Sequence, residues 1–225
     1  MIAANLKQAL THMAEIATAC GRTPESVQLV AVSKTHPMAL IREAFEAGQV
    51  DFGENRVQEL TDKQPELPEA RWHLIGSLQR NKVKYIAPFV HMIHSVDSLA
   101  LAQEIQKHAA KYDRVIQVLL QINISEEDSK SGLNEAGAEA ILALRSEMPN
   151  LAFTGLMGMA AFTDDEALIR SQFRRLRVAK EDFAARFFPG GEFQHLSMGM
   201  SGDYPIAIEE GATLVRIGSA IFGSR

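Results

Sequence analysis

The chain has 225 residues, 46% of them hydrophobic, and a formal net charge of -5. That composition supports a large core, and its mixed charges argue against a nucleic-acid partner, because the phosphate backbone recruits clustered Lys and Arg. The lone cysteine, Cys20, excludes an intramolecular disulfide, and polar positions spread through residues 1 to 20 exclude a signal peptide or membrane span there, so a cytoplasmic protein is expected.

Taken in order, the chain opens on an amphipathic pattern from Ile2 to about Cys20, with Leu6, Leu10, Met13 and Ile16 or Ala17 on one face and Gly21 as its stop. Next comes Leu29-Val30-Ala31-Val32-Ser33-Lys34-Thr35-His36-Pro37. A run apolar at nearly every position reads as a strand buried on both faces, as in a parallel sheet. Lys34 emerges at its carboxyl end, and Pro37, then Met38, Ile41 and Phe45 at helical spacing, then Gly48, read as a helix with its stop. A lysine so placed either reaches solvent or, with its pKa lowered by its surroundings, forms an imine with an aldehyde.

Strand patterns recur at Val27 to Ser33, Val50 to Gly53, Trp72 to Gly76, Met92 to Val96, Val115 to Asn123, Ala152 to Met159, Phe193 to Met198 and Thr213 to Gly218. Helical patterns fall between them, at 37 to 47, about 56 to 63, 79 to 86, 98 to 111, 134 to 147, 164 to 187 and about 204 to 210. In the sixth, Thr163 and Glu166 read as a capping box, Ile169, Phe173, Leu176, Phe183 and Phe187 as the apolar side, and Pro189-Gly190-Gly191 as the stop. Eight strands alternating with helices favour one (β/α)8 TIM barrel over residues 1 to 225 with an extra N-terminal helix. An open doubly wound sheet is the alternative, but the glycine fingerprint of dinucleotide binding is missing after the first strand.

In a barrel, chemistry belongs at the carboxyl ends of the strands. Those ends carry Lys34, Glu54-Asn55, Gly76, Ser95-Val96-Asp97, Asn123, Met157 to Met159, Ser197 to Ser201 and Arg216 to Ser219. Met198-Gly199-Met200-Ser201-Gly202 and Arg216-Ile217-Gly218-Ser219 fall at the ends of the last two strands, where such barrels hold phosphate. With Lys34 they describe a pocket for a phosphorylated aldehyde, and pyridoxal 5′-phosphate fits.

Val32-Ser33-Lys34-Thr35, Phe52 to Glu59 (FGENRVQE), Trp72 to Gly76 (WHLIG), Leu196 to Ser201 (LSMGMS) and Val215 to Gly218 (VRIG) occur in the order of a known family. The chain resembles the YggS/PROSC pyridoxal phosphate homeostasis proteins of the alanine racemase-like superfamily, over essentially its whole length. The resemblance implies that Lys34 holds the cofactor as an aldimine, that Ser201, Gly218 and Ser219 bind its phosphate, and that Arg216 faces its pyridine nitrogen. It places Asn55 in the pocket wall. Ser219 stands where many members have threonine, and His36 where some have lysine.

The residues around these have plainer readings. His73 reads as a packed, hydrogen-bonded core histidine, Met157, Met159, Met198 and Met200 as core filling, and Glu54 as either a general base or a structural acceptor. Lys130, in a polar loop after the fifth strand, reads as solvated or as a transfer contact, and Arg170, Arg174, Arg175 and Arg177 as a solvated helix face. Two functions compete. One is a non-catalytic carrier, expected to be a monomer, that helps set free pyridoxal phosphate or delivers it to apo-enzymes. The other is an amino-acid racemase, which needs acid and base groups on both faces of the cofactor. The carrier is favoured, because the sequence closes soon after Gly218 without the second domain of the racemases and because a guanidinium beside the pyridine nitrogen weakens the ring as an electron sink.

Overall fold

Alternate residues of β1 (Gln28–Val32) enter two different apolar regions: Leu29 and Ala31 pack beneath the helices, while Val30 points into the barrel with Met92, Leu119, Met157 and Leu214. Both faces are dry, which is why the strand reads as an unbroken apolar run. The computed structural model describes residues 1–125 and 131–223.

The other strands are β2 (Asp51–Glu54), β3 (Arg71–Leu74), β4 (Met92–Val96), β5 (Ile116–Gln121), β6 (Leu151–Met157), β7 (His195–Met200) and β8 (Leu214–Ile217). Each pairs in parallel with the next, and β8 returns to pair with β1, so the sheet closes into an eight-stranded barrel without edges. The helices are α1 (Ile2–Ala19), α2 (Met38–Glu46), α3 (Val57–Lys63), α4 (Val83–Ile86), α5 (Leu99–Lys111), α6 (Glu135–Ala143), α7 (Glu166–Phe187), α8 (Tyr204–Glu209) and α9 (Ser219–Phe222). The expected barrel and its extra N-terminal helix are both present, and all eight strand patterns correspond to strands.

Local differences have physical causes. The pattern at 79 to 86 splits into a 3-10 turn, Arg80–Lys82, and the short α4, and the pattern at 134 to 147 ends early at Ala143. Thr163 and Glu166 do not form a capping box: Asp165 caps α7, its Oδ1 accepting from the N–H groups of Ala167 and Leu168, while the Thr163 hydroxyl accepts from Asp165 N–H. The buried face of α1 runs through Ile2, Leu6, Ala9, Met13 and Ala17, which leaves Leu10 exposed. Gly21 closes this helix at φ 69°, with Arg22 N–H returning to Ala17 O at 2.9 Å.

The arginines of α7 are not a merely solvated face. Arg170, Arg174 and Arg177 converge on Glu210, whose side chain is 5% exposed, and Arg175 pairs with Glu135. The cluster therefore ties α7 to α8 and α6.

Candidate functional site

A cavity of about 540 Å3 opens at the carboxyl ends of the strands, lined by Lys34, Asn55, Ser201, Arg216, Gly218 and Ser219 together with Val32, His36, Ile75, Gly76, Ser77, Gln121, Met159 and Met200. All six residues expected at a cofactor site thus share one cavity.

Lys34 is half-buried and lies two residues past β1. The turn that presents it is clamped from below. Ser33 Oγ donates to Glu54 Oε1 at 2.7 Å, and Lys63 Nζ donates both to Ser33 O at 2.8 Å and to Glu54 Oε1 at 2.7 Å. On the other side of the lysine, Thr35 takes a left-handed φ of 66°, which a threonine rarely adopts, and its N–H donates to Glu59 Oε2 at 2.7 Å. Glu54 is thus a structural acceptor rather than a pocket base, absent from the cavity lining. Burial pushes its carboxyl up, opposed by the hydrogen bonds from Lys63 and Ser33.

The clamp predicts a large stability effect. Lys63 is 11% exposed in its side chain and Glu54 fully buried, so Lys63→Met strands a buried carboxylate and is expected to cost about 3 kcal/mol in denaturant unfolding. Adding Glu54→Gln should recover part of the loss. A change no larger than that of an exposed lysine substitution would show that the pair does not hold the turn.

On the neighbouring strand β8, Arg216 is 4% exposed; its Nη1 donates to Ser197 Oγ at 2.6 Å and its Nη2 to Gly158 O at 3.2 Å. Burial pushes the guanidinium down to about 10, against the nearby Asp203 carboxylate, which still leaves it charged at neutral pH. Gly218 N–H donates to Ser201 Oγ at 3.3 Å, which joins the loops after β7 and β8. A Cβ on Gly218 would lie 3.1 Å from Val32 O, and one on Gly76 only 2.3 Å from Asn55 O. Glycine is what lets the backbone come this close at both places. An amine, two serine hydroxyls, a backbone N–H and a fixed cation suit a phosphorylated aldehyde.

His36 lines the cavity and stacks on Phe222 with ring centroids 5.0 Å apart. Lys130 lies outside the described residues. The methionines divide: Met157 fills the barrel interior, Met198 packs beneath the helices, and Met159 and Met200 line the cavity. Gln121 also lines it and donates to Ser131 O at 2.8 Å, a placement not foreseen from the sequence. Its signal was a polar residue at the end of an otherwise apolar strand.

Three comparisons extend this geometry. The pattern of the family described as "Alanine racemase, N-terminal domain" matches residues 5–225. The "Pyridoxal phosphate homeostasis protein" of Vibrio alginolyticus is 44% identical over 212 residues, which covers 92% of this chain and 90% of that protein. The protein of the same name from Escherichia coli K12 is 40% identical over 229 residues, covering 100% of this chain and 97% of that one. The chain belongs to the pyridoxal phosphate homeostasis protein family. Among solved structures, PipY of Synechococcus elongatus PCC7942, described as having PLP bound, is 38% identical with a TM-score of 0.85, covering 99% of this chain and 100% of that one. The family's fold is therefore the closed barrel seen here. Among the described residues no helix is long and apolar enough to cross a membrane.

Proposed function

We propose that this protein takes up pyridoxal 5′-phosphate reversibly at Lys34 and thereby contributes to cofactor homeostasis or delivery. One observation carries the reading: the amine, the hydroxyls of Ser201 and Ser219, the backbone of Gly218 and the charged Arg216 line one cavity, in a chain 38% identical to a protein described as having PLP bound. Bound there, the cofactor would supply an aldehyde that a lysine amine takes up with loss of water and releases by the reverse. Lys34 supplies that amine, Ser201, Gly218 and Ser219 hold the phosphate, Asn55 forms part of the wall, and Arg216 faces the pyridine ring. The receivers are apo-enzymes that use the same cofactor, and the protein acts as a cytoplasmic monomer. The exposed, unpaired Cys20 is consistent with a reducing compartment.

This arrangement suits holding and release rather than racemisation. Arg216 stays charged at neutral pH, so in the proposed pose it does not lend the ring nitrogen a proton, and the ring is a poor electron sink. Incubating the loaded protein with L-amino acids in deuterated water is expected to give no Lys34-dependent deuterium at the α-carbon. Rapid incorporation that disappears in Lys34→Ala would replace the carrier with an enzyme.

A further inference from the structure

A row of polar side chains crosses the apolar interior of the barrel from Arg216 to Asp51. Arg216 Nη1 lies 2.6 Å from Ser197 Oγ, which lies 2.8 Å from His94 Nδ1. His94 Nε2 lies 3.0 Å from His73 Nδ1, and His73 Nε2 lies 2.9 Å from Asp51 Oδ1. All five residues are buried, none more than 4% exposed. The step from His94 on β4 to Ser197 on β7 joins strands that are not neighbours in the sheet, so it spans the lumen.

With both imidazoles neutral, the cation at one end and the anion at the other set every proton between them. A guanidinium only donates, so Ser197 Oγ accepts from Arg216 and turns its own hydrogen to His94 Nδ1. Burial above all, with the nearby Arg216 charge, pushes the His94 imidazole well below its ordinary range, so it is neutral, and with Nδ1 accepting from Ser197 its single N–H lies on Nε2. That N–H donates to His73 Nδ1, and His73 Nε2–H donates to the Asp51 carboxylate, which only accepts. Asp51 remains ionised: burial works against it, but the hydrogen bond from His73 and the bond and charge of Arg71 hold its carboxyl below the usual range. Its other oxygen is already taken, accepting from Gln28 Nε2 at 2.6 Å and Arg71 Nη2 at 2.5 Å. Every donor thus points the same way, from the cation at the cavity to the anion at the barrel floor, and each bond polarises the next.

Such a row costs free energy unless every member is satisfied, and an apolar filling like that of Val30 and Leu214 would avoid the cost. We propose that Ser197, His94, His73 and Asp51 are positioning residues for Arg216: a one-directional hydrogen-bond chain that locks the guanidinium in the single orientation it presents to the cavity. The ligand it serves follows from the pyridoxal phosphate reading above, whereas the chain itself is a property of the unloaded protein.

The test therefore has a ligand-free arm and a ligand arm. In the protein without cofactor, nitrogen-15 NMR of the imidazoles is expected to show His94 and His73 both protonated at Nε2, and Arg216 to give resolved, slowly rotating guanidinium protons. Ser197→Ala should merge the Arg216 signals, and Ser197→Thr, which keeps the hydroxyl, should restore them. In the ligand arm, Ser197→Ala is expected to weaken retention of pyridoxal phosphate about tenfold, the scale of one hydrogen bond to a charged group, and to shift its visible absorption band, with Ser197→Thr again restoring both. His94 protonated at Nδ1, or an Arg216 spectrum unchanged in Ser197→Ala, would overturn the chain. Correct tautomers in a protein that binds no pyridoxal phosphate would uphold the chain and overturn the ligand.

Discussion

Lys34→Ala is expected to abolish covalent retention of pyridoxal phosphate completely while leaving the barrel folded. The lysine lies beyond β1 and lines the cavity, whereas the adjacent turn is held by Ser33, Thr35, Glu54, Glu59 and Lys63, none of which the substitution removes. Truncating a half-buried side chain outside the core should change unfolding free energy by about 1 kcal/mol or less. Circular dichroism and denaturant unfolding measure the second effect, and borohydride trapping followed by mass measurement the first. Survival of the trapped adduct in a folded Lys34→Ala protein would move the attachment elsewhere.

The second large effect is at Gly218. Its backbone runs so close to Val32 that a Cβ would sit only 3.1 Å from Val32 O and 3.2 Å from Val32 Cβ, so the branches of a valine must be accommodated by pushing the loop or entering the cavity. Gly218→Val should therefore weaken pyridoxal phosphate about a hundredfold, the scale of two lost charge-assisted bonds, and unphosphorylated pyridoxal far less. Ser201→Ala, which removes one hydroxyl and the link to Gly218 N–H, should show the same selectivity at about tenfold. Absorbance titrations with both ligands decide the matter. Equal weakening for the two would place the phosphate at some other wall of the cavity.

The sequence exposed the fold wherever one side chain pattern answered to one physical cause. β1 was plain because Leu29 and Val30 are buried in opposite directions, and Gly21 and Gly48 were plain because both take the positive φ that ends a helix. The start of α7 misled because Thr163 and Glu166 have capping spacing, while the helix begins two residues later and Asp165 caps it through the N–H groups of Ala167 and Leu168. Leu10 misled because an apolar residue beside a buried stripe reads like part of it.

The site was legible in part for the same reason. Lys34, Ser201, Arg216, Gly218 and Ser219 stand at strand ends, where barrel geometry alone brings distant segments together. The support beneath them was hidden, since nothing local pairs Lys63 with Ser33 O or His94 with Ser197. A polar residue inside an apolar strand was the available sign, and His73 showed it: it is the hydrogen-bonded core histidine expected, but its partners became visible only when the barrel closed.

The most direct measurement is to mix the protein with pyridoxal phosphate near equimolar concentration, reduce with borohydride, digest, and map the modified lysine by mass spectrometry. A single major adduct is expected, on the peptide carrying Lys34. An adduct spread evenly over the surface lysines, or concentrated on another residue such as Lys130, would contradict the assignment of Lys34 as the attachment point.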